Sequence, residues 1–466
     1  MKIDVILIGT GQAAVPLATR LAAAGTRVLI AERGSPGGTC VNIGCTPTKT
    51  LVASARAAHV VRTAARLGVH ARDVTVDFAA VMARKDAVVA RWRGGVERRL
   101  NAGGDNLRFV RGHARFVAPR TVEVAASASP GGLPRPERYE AERIVINVGA
   151  RSVVPAIPGL HDVPFLDSSG VLALRTLPRH LLVLGSGYIG CELGQLMRRL
   201  GAAVTVVGPS QRLLSHEDPD VSESLAGAFQ AEGITLALGK KVERVAREDN
   251  DVVLTLAGGE VLRGSHLLVA TGRRPNTDDL GCEQAGIALT ADGHVQVDER
   301  YETTARGTFA VGDCTPGPAF THVSWDDHRV LFEILSDRTP RPREERLVPY
   351  TVFTDPQVAG VGLSEGEARS QGIAFELATM PFGNIARAIE TDETAGVVKV
   401  LIDPATDRIL GARIVGVDAG ELIHVFSVLM QAKASARAIV DGEFVHPTFA
   451  EGLQTAVMKL PRYALS

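Results

Sequence analysis

Residues 4–32 read DVILIGTGQAAVPLATRLAAAGTRVLIAE, and this stretch decides the fold. The apolar run Asp4–Ile8 predicts a strand, the alanine-rich run that ends near Ala24 predicts a helix, and Arg27–Ala31 predicts a second strand. The glycines between the first strand and the helix permit a tight turn. The stretch therefore predicts a βαβ unit that binds a dinucleotide.

The turn of this unit is the glycine loop Gly9-Thr10-Gly11-Gln12-Ala13-Ala14. We expect Gly9, Gly11 and the small residue Ala14 to let a pyrophosphate approach the backbone and the helix pack closely on the strand. The phosphates would lie at the helix N-terminus, where free N–H groups and the helix dipole favour an anion. Glu32 follows about 20 residues on, at the end of the second strand, where a carboxylate can bind both ribose hydroxyls.

A second unit of this kind surrounds the glycine loop Gly185-Ser186-Gly187-Tyr188-Ile189-Gly190, about 175 residues further along the chain. The runs His180–Leu184 and Ala203–Val207 predict its strands, so we expect two dinucleotide sites. Gly208 stands where an acidic residue would favour an unphosphorylated ribose, and Arg212 could pair with a 2′-phosphate. The sequence favours NADPH over NADH on this ground, with a solvated surface position for Arg212 as the alternative.

Between the two loops, residues 37–49 read GGTCVNIGCTPTK and contain a cysteine pair. In a regular helix residues five apart lie on different faces. Cys40 and Cys45 can therefore form a disulfide only if the helix start is distorted, and Gly44 gives freedom for that. A helix N-terminus stabilises a thiolate, and Lys49 lies about one turn after Cys45 on the same face. This arrangement predicts a redox-active pair.

A structural disulfide or a pair of zinc ligands is the alternative explanation of these cysteines. The first needs an oxidising compartment and the second needs further Cys or His residues at metal-ligand spacing, and the sequence indicates neither. We therefore expect no metal site. We expect Cys191, Cys282 and Cys314 to be packing residues, because a free cysteine behaves as a small buried hydrophobe.

The composition argues against several classes of protein. At about 150 residues per domain, 466 residues are enough for roughly three domains. The 51 basic and 52 acidic residues give a formal net charge of −1 without a basic block, which argues against nucleic-acid binding. Five cysteines in so long a chain fit a reducing compartment, so we expect a cytoplasmic protein. We expect no membrane span and no signal peptide, since glycines interrupt the apolar start.

A set of motifs covers nearly the whole chain, namely GTGQAA, GGTCVNIGCTPTK, GSGYIGCELG, ATGRRPNT, TFAVGD and HPTFAEG. In content and order they resemble the motifs of the class I pyridine nucleotide-disulfide oxidoreductases, which include dihydrolipoamide dehydrogenase, glutathione reductase and mercuric reductase. The stretches GGTCVNIGCTPTKT, FTHVSWDDHRVL, VPYTVFTDPQ and ARAIETDETAG further resemble the mercuric-reductase-like branch. That branch includes the reductase linked to reactive-chlorine resistance and copper(II) reduction.

The resemblance implies an α/β fold with two Rossmann-like dinucleotide-binding domains, for FAD and NAD(P), and a C-terminal α+β dimerisation domain. On this basis we expect an FAD-binding domain from residues 1–150 and 272–345. The NAD(P)-binding domain would comprise residues 151–271, and the dimerisation domain residues 346–466. The active enzyme would be a homodimer whose active site is shared between the subunits.

The resemblance also implies roles for individual side chains. Cys45 would be the sulfur next to the flavin and Cys40 the interchange sulfur. Lys49 and Glu192 would form an ion pair near the reactive flavin nitrogen, and Tyr188 would be a movable lid where the nicotinamide enters. The alternative for Glu192 and Tyr188 is ordinary packing on a helix surface and in a turn. Further implied cofactor contacts are Arg33, Gly38, Thr39, Ala114, Gly149, Gly272, Gly312 and Asp313, the last on the ribityl chain of the flavin.

His446 and Glu451, in the HPTFAE stretch, correspond to the acid–base pair of the family. A histidine titrates near neutral pH, so it can take the proton of an interchange thiol and return it to a leaving thiol. A carboxylate would fix the tautomer of its ring. The alternative for Glu451 is a capping box with Thr448 at a helix start.

The function implied by these residues is an FAD-dependent oxidoreductase that passes electrons from NAD(P)H to the Cys40–Cys45 disulfide and on to an acceptor. That acceptor would be a soft metal ion such as Hg(II) or Cu(II), or else a small disulfide. The alternatives are a non-enzymatic redox sensor, and a flavin oxidase or transhydrogenase that does not use the cysteines. Typical mercuric reductases carry a C-terminal cysteine pair, but no cysteine follows Cys314, so we expect inefficient mercury reduction.

Overall fold

The computed structural model describes residues 3–126, 135–342 and 345–463. By its internal contacts the chain divides into two compact units, and three separate segments make up each unit. The first unit comprises Met1–Thr50, Ala83–Val153 and Gly272–Arg346. The second unit comprises Leu51–Met82, Val154–Thr271 and Leu347–Ser466.

Residues Leu51–Met82 belong to the second unit in this division, although we expected them in the FAD-binding domain of residues 1–150. The reason is hydrophobic packing, because Leu51 and Phe78 belong to a buried core cluster that also contains Val183 of the second unit. The other limits of the units fall within a few residues of the expected domain boundaries. The assignment of FAD binding, NAD(P) binding and dimerisation to these segments stays a prediction.

The strands are numbered in chain order. Those in residues 3–153 are β1 (Val5–Ile8), β2 (Val28–Glu32), β3 (Leu107–Ala118), β4 (Thr121–Ala126), β5 (Glu137–Glu140), β6 (Arg143–Ile146) and β7 (Ala150–Ser152). Those in residues 154–271 are β8 (His180–Leu184), β9 (Ala203–Gly208), β10 (Thr235–Leu238), β11 (Val242–Glu248), β12 (Asp251–Leu256), β13 (Val261–Gly264) and β14 (His266–Val269). Those in residues 272–463 are β15 (Arg273–Pro275), β16 (Thr308–Ala310), β17 (Tyr350–Val352), β18 (Gln357–Gly362), β19 (Glu376–Pro381), β20 (Val397–Ile402) and β21 (Ile409–Gly416).

The α-helices are numbered in the same way. They are α1 (Ala14–Ala23), α2 (Gly38–Ile43), α3 (Cys45–Thr63), α4 (Phe78–Asn101), α5 (Ser168–Leu172), α6 (Tyr188–Leu200), α7 (Pro219–Ala231), α8 (Thr321–Leu335), α9 (Glu365–Ser370), α10 (Ala386–Thr391), α11 (Ala419–Gln431), α12 (Arg437–Val440) and α13 (Glu451–Met458). Among the described residues, every helix is too short or too polar to span a bilayer.

A seven-stranded sheet forms the centre of the first unit, with the strand order β16-β6-β1-β2-β3-β4-β5. The strands from β16 to β3 pair in parallel, whereas β3, β4 and β5 pair antiparallel. Strands β7 and β15 form a separate antiparallel pair. The βαβ unit predicted at the start of the chain is confirmed, since β1, α1 and β2 follow in that order.

The sheet of the first unit is buried on both faces, as expected for parallel strands covered by helices. Side chains alternate along a strand. Val5 and Leu7 of β1 accordingly join the same core cluster as Leu17 of α1. Ile6 and Ile8 point to the opposite face and join a different cluster. This double burial explains why β1 is apolar at every position.

The described residues of the second unit form three sheets. Strands β10-β9-β8-β14 form a parallel sheet, and β11-β12-β13 form an antiparallel one. The third is the antiparallel sheet β17-β18-β21-β20-β19. The second βαβ unit is confirmed by β8, α6 and β9, whose strands match the predicted runs to within one residue. The α/β fold class that we predicted is thus confirmed.

Candidate active site

The cysteine pair lies where one helix is interrupted. Cys40 belongs to α2, and Cys45 is the first residue of α3. Between them Gly44 has φ −135° and ψ −117°, which breaks the helical path. A side chain at Gly44 would bring its Cβ to 2.8 Å from the carbonyl oxygen of Thr39, so the break is closely packed. The predicted distortion of the helix start is confirmed.

The two sulfurs are chemically unequal. The hydrogen bond with Cys45, burial and the charge of Cys45 raise the pKa of the Cys40 thiol, while contacts with Thr321 and Lys49 act in the opposite direction. Cys45 is exposed at the N-terminus of α3, where the helix dipole favours a negative charge. Lys49 lies on the same helix, as we expected from its spacing.

A hydroxyl group that the sequence did not single out reaches Cys45. The Oγ1 atom of Thr321 lies 3.1 Å from the Sγ atom of Cys45. Thr321 is the first residue of α8, so the positive end of a second helix dipole faces the sulfur. Thr321 belongs to the FTHVSWDDHRVL stretch, which we used only for the family resemblance.

Asn42 fixes the loop that precedes the cysteine pair. Its Nδ2 group donates to the carbonyl oxygens of Ser35 at 3.2 Å, Pro36 at 3.0 Å and Gly38 at 2.9 Å. Its Oδ1 atom accepts a hydrogen bond from Nε of Arg93 at 2.7 Å. The sequence analysis missed this role, because an asparagine between two cysteines has no spacing signal of its own.

The first glycine loop is packed against Asn147. Gly9 has φ +99°, and a Cβ there would overlap the carbonyl oxygen of Asn147. A Cβ at Gly11 would lie 2.5 Å from Oδ1 of Asn147. The same Oδ1 accepts the N–H of Ala14 at 3.3 Å. The N-cap residue Ala13 makes no side-chain cap hydrogen bond, so the N–H groups of the first turn other than that of Ala14 can face an anion.

Glu32 is held by its own loop. Its Oε2 atom accepts the N–H of Thr10 at 2.9 Å and the Thr10 hydroxyl at 2.6 Å, and its Oε1 atom accepts the N–H of Gly34 at 2.7 Å. A carboxylate offers about four acceptor positions. One position therefore remains for a ribose hydroxyl, and the second ribose contact that we expected requires the Thr10 hydroxyl to turn away.

Asp313 follows the buried strand β16 in the TFAVGD stretch. Burial raises the pKa of its carboxyl group, with Arg273 acting against this effect and Asp327 adding to it. The preceding residues are held in place by Asn147, whose Nδ2 group donates to the carbonyl oxygen of Val311 at 2.9 Å. Asn147 thereby links the first glycine loop to the segment that carries Asp313.

The second glycine loop has the same construction. Gly185 has φ +123°, and a Cβ there would overlap the carbonyl oxygen of Ala270. Among the described residues no side chain caps α6, which begins at Tyr188. Strand β9 ends in Gly208, and the exposed Arg212 lies near the loop because the Ser186 hydroxyl donates to its carbonyl oxygen at 3.5 Å.

Glu192 is buried inside the second unit rather than exposed on a helix surface. Only 5% of Glu192 is exposed, and its Oε1 atom accepts the N–H of Phe353 at 2.9 Å. It lines a cavity of about 90 Å³ together with Gln195 and Asp355. Tyr188 is 40% exposed at the start of the same helix. The ion pair between Lys49 and Glu192 stays a prediction.

His446 and Glu451 are in contact. The Nδ1 atom of His446 lies 3.0 Å from Oε1 and 2.9 Å from Oε2 of Glu451. The side chain of His446 is 71% exposed, whereas that of Glu451 is 18% exposed. The Thr448 hydroxyl accepts the N–H of Glu451 at 3.2 Å. The backbone N–H of Glu451 thus bonds to Thr448 while its carboxylate contacts His446, and the acid–base role of the pair stays a prediction.

The other predicted cofactor contacts lie at varied positions. Arg33 is exposed and pairs with Asp279 at 2.9 Å, and Ala114 is buried in β3, so that only its backbone can reach a cofactor. Gly149 and Gly272 have positive φ and open space where a side chain would stand. The remaining ones lie in or beside the segments already described, namely Gly38, Thr39, Ile189, Gly190 and Gly312.

Three cysteines are buried away from the pair, as we predicted, namely Cys191, Cys282 and Cys314. Burial raises the pKa of the Cys282 thiol to about 11 and that of the Cys314 thiol to about 12. These thiols are thus protonated and unreactive at neutral pH. In the described part of the chain, no three His, Cys, Asp or Glu side chains are grouped so that they could hold a metal ion.

Two family models match the chain. The model described as pyridine nucleotide-disulphide oxidoreductase matches residues 3–327. The model of the dimerisation domain of the same proteins matches residues 348–457. The chain belongs to the pyridine nucleotide-disulphide oxidoreductase family.

Proteins similar to this oxidoreductase include RclA of Escherichia coli (strain K12), a probable pyridine nucleotide-disulfide oxidoreductase. It is 36% identical over 459 residues, which cover 97% of this chain and 98% of RclA. The mercuric reductase of Bacillus cereus is 34% identical over 460 residues, which cover 98% of this chain and 71% of that protein. The predicted resemblance to the mercuric-reductase-like branch is confirmed.

Solved structures are similar over the same length. The Cu(II) complex of the HOCl-induced flavoprotein disulfide reductase RclA from Escherichia coli has a TM-score of 0.90 at 35% identity, covering 99% of this chain and 100% of that one. LpdA from Mycobacterium tuberculosis has a TM-score of 0.88 at 26% identity, covering 98% of this chain and 100% of that one.

This oxidoreductase is therefore an enzyme of a family that depends on FAD and uses NAD(P)H. The alternative of a non-enzymatic sensor is set aside, because the family consists of enzymes. The residues present fit FAD. The tight turn at Gly9 and Gly11 leads into the N-terminus of α1, which can receive an anion, and Glu32 stands at the end of β2.

Proposed function

We propose that this oxidoreductase uses NAD(P)H to keep Cys40 and Cys45 reduced, and that this dithiol reduces a soft metal ion, Cu(II) or Hg(II). The observation that supports the proposal most strongly is the exposed Cys45 beside Cys40 at the break of the helix. Thiolates are preferred ligands of soft metal ions. The relatives point the same way, since they include mercuric reductases and a Cu(II) complex of RclA.

FAD, when bound, accepts a hydride from the nicotinamide dinucleotide and returns two electrons to a disulfide. The first glycine loop and Glu32 would hold its pyrophosphate and a ribose, and Asp313 its ribityl chain. Cys45 would carry the negative charge of the pair, because the Thr321 hydroxyl and two helix N-termini would stabilise a thiolate there.

The reaction with the acceptor balances without a further reductant. The Cys45 thiolate and the Cys40 thiol together lose one proton and two electrons and form the Cys40–Cys45 disulfide. Two Cu(II) ions become Cu(I), or one Hg(II) ion becomes Hg(0). His446 would take up the proton that the Cys40 thiol loses, and Glu451 would hold its Nδ1 atom.

A small-molecule disulfide is the second candidate acceptor, and the contact between His446 and Glu451 favours it. Thiol–disulfide exchange needs a group that moves a proton to the leaving thiol, and an imidazole oriented by a carboxylate suits this task. A thiolate that gives electrons to a metal ion depends less on such a group. The histidine therefore distinguishes the two acceptor classes.

The remaining features of the proposal concern the dinucleotide and the assembly. NADPH is favoured because β9 ends in Gly208 and Arg212 lies near the second glycine loop. The match to a dimerisation domain supports a homodimer in which His446 serves the cysteine pair of the other subunit. A reducing compartment such as the cytoplasm would suit a reactive cysteine pair.

The test is anaerobic reduction of the purified holoenzyme with NADPH and with NADH. We expect a long-wavelength absorbance band from a thiolate next to the flavin, and a higher kcat/KM for NADPH. Reoxidation is then followed with Cu(II), Hg(II), glutathione disulfide and lipoamide, and we expect Cu(II) to react fastest.

Two variants complete this experiment. Cys45→Ser removes the proposed route of electrons, whereas Cys282→Ser changes a buried cysteine outside the pair. We expect loss of metal reduction in the first and retention in the second. A purified protein without flavin, or equal metal reduction by Cys45→Ser, would contradict the proposal.

A further inference from the structure

A buried carboxylate on α8 binds groups from three separate parts of the first unit. Asp327 is 2% exposed. Its Oδ2 atom accepts the N–H of Gly312 at 2.9 Å. Its Oδ1 atom accepts the hydroxyl of Tyr301 and the Nη2 group of Arg346, each at 2.8 Å. The guanidinium of Arg346 also donates to the Tyr301 hydroxyl at 2.6 Å.

All three partners of Asp327 are hydrogen-bond donors. A carboxylate accepts at both oxygens, whereas an amide of the same shape accepts at one and donates at the other. An asparagine here would point an N–H group at Gly312 or at the Tyr301–Arg346 pair. The three donors therefore match a side chain that accepts at both of its oxygens, and no water replaces it easily at this degree of burial.

The position of Asp327 links two groups of the candidate active site. Gly312 immediately precedes Asp313 in the chain. Thr321, six residues before Asp327, begins the same helix and lies 3.1 Å from the Cys45 sulfur. Six residues of helix span about 9 Å, and a helix transmits a displacement along its axis with little bending. The Asp327 side chain thus sets the distance between the segment that carries Asp313 and the N-terminus of α8, which contacts Cys45.

We propose that Asp327 is a positioning residue of the flavin site. It fixes the N–H of Gly312 relative to α8, whose first residue, Thr321, contacts Cys45. This inference rests on the proposed use of FAD. The hydrogen bond to Arg346 also ties Asp327 to the last residue of the first unit, since Leu347 begins the C-terminal segment of the second. Asp327 itself touches no reacting atom in this scheme.

The test compares Asp327→Asn with wild-type enzyme and with Glu333→Gln. Glu333 lies on the same helix but contacts Arg20 and Arg338 near the surface. The substitution Glu333→Gln therefore removes the same charge without affecting a contact of Gly312. Each protein is stripped of flavin and titrated with FAD while flavin fluorescence is measured. We expect the Kd for FAD to rise about tenfold in Asp327→Asn and to stay within about threefold in the control.

A second readout separates positioning from stability. The wavelength and pH midpoint of the thiolate–flavin band report on the distance between Cys45 and the ring, and we expect both to shift in Asp327→Asn. A variant with a lower melting temperature, but with wild-type FAD affinity and an unchanged band, would overturn the inference. If Asp327→Asn fails to fold, Tyr301→Phe decides, since it removes one donor only. We expect it to raise the Kd for FAD about fivefold, beyond the range allowed to the control, and a Kd within that range would overturn the inference.

The outcome also distinguishes this inference from the proposed function. Wild-type enzyme that binds FAD and shows the band, with Asp327→Asn indistinguishable from it, defeats the role of Asp327 alone. Wild-type enzyme that binds no FAD defeats both.

Discussion

At the scale of single residues, the Thr321 hydroxyl bears directly on the chemistry of Cys45. We expect Thr321→Val to move the pH midpoint of the thiolate–flavin band upward by about one unit, because a hydrogen bond to an ionised group is worth roughly 1.5–3 kcal/mol. Thr321→Ser keeps the hydroxyl and is the control. The measurement is a spectrophotometric pH titration of the reduced enzyme. Equal midpoints in wild type and Thr321→Val would remove Thr321 from the scheme.

The contact of His446 with Glu451 allows the two acceptor classes to be separated. We expect His446→Ala to lower the reduction of glutathione disulfide or lipoamide by about 10²–10⁴-fold, the usual contribution of a general acid–base. Cu(II) reduction should fall by much less. The control is His424→Ala, which changes an exposed histidine of α11. Steady-state rates with each acceptor test this expectation, and parallel losses for both classes would contradict it.

Residue roles were predictable from the sequence only where they depend on local spacing. Cys40, Cys45 and Lys49 lie within one short stretch, and their relation follows from helix geometry. Thr321 lies 276 residues from Cys45 in the chain, and Asn147 lies 133 residues from Ala14. Contacts at such separations arise from the tertiary fold, so neither residue could be identified from spacing.

At the scale of elements, the break between α2 and α3 determines where the sulfurs lie. We expect Gly44→Ala to displace the pair, because its Cβ would come to 2.8 Å from the carbonyl oxygen of Thr39. The cost should be about 1–3 kcal/mol of unfolding free energy, with slower formation of the Cys40–Cys45 disulfide. Urea unfolding and thiol titration after oxidation measure these effects.

The control for this change is Gly227→Ala. Gly227 lies inside α7, with no atom within 4 Å of the position of an added Cβ. Alanine is favoured over glycine in a helix by up to about 1 kcal/mol, so this variant should be as stable as wild type or more stable. If Gly44→Ala and Gly227→Ala have the same unfolding free energy and the same rate of disulfide formation, the break at Gly44 does not determine where the sulfurs lie.

The βαβ units could be predicted because each is a local pattern of strand, glycine turn and helix. The allocation of Leu51–Met82 could not, since it depends on which distant apolar side chains share a core. Glu192 shows the same limit. Its motif indicated a functional glutamate, but its partner Phe353 lies 161 residues away.

At the scale of the whole molecule, Lys399 joins distant segments of the second unit. Its Nζ atom lies 2.9 Å from carboxylate oxygens of Asp218, Asp220 and Glu365, and its side chain is 2% exposed. Burial opposes the charge on Lys399, but these hydrogen bonds outweigh it and raise the pKa of the amine. Breaking a buried ion pair at one partner typically costs about 3–5 kcal/mol. We expect Lys399→Met to lose stability on this scale at pH 7.

The deficit of Lys399→Met should depend on pH. Burial by itself would raise the pKa of Asp218. The hydrogen bonds from Lys399 and Gly366 lower this pKa by more than burial raises it, so the net shift is downward. The hydrogen bond from Lys399 lowers the pKa of Glu365 as well. A lowered carboxyl pKa contributes stability above the unfolded pKa of about 4, and this contribution is lost as the pH falls through the folded pKa.

The difference between wild type and Lys399→Met should therefore shrink in acid. Urea unfolding at pH 7 and at about pH 3, which lies below the unfolded pKa of the carboxyl groups, measures it. Lys240→Met is the control, because Lys240 pairs with Glu260 at the surface, where such pairs are worth about 0–1 kcal/mol. A deficit that is small, or the same at both pH values, would contradict the role given to Lys399.

The Lys399 cluster has a consequence for limited proteolysis. Lys399 and Asp218 lie 181 residues apart in the chain, and Leu225 of α7 shares a core cluster with Val397 of β20. A protease that nicks an exposed loop between these positions would cut the backbone without separating the pieces. The nicked protein would elute as one species in a sizing column, and only a denaturing gel would reveal two fragments.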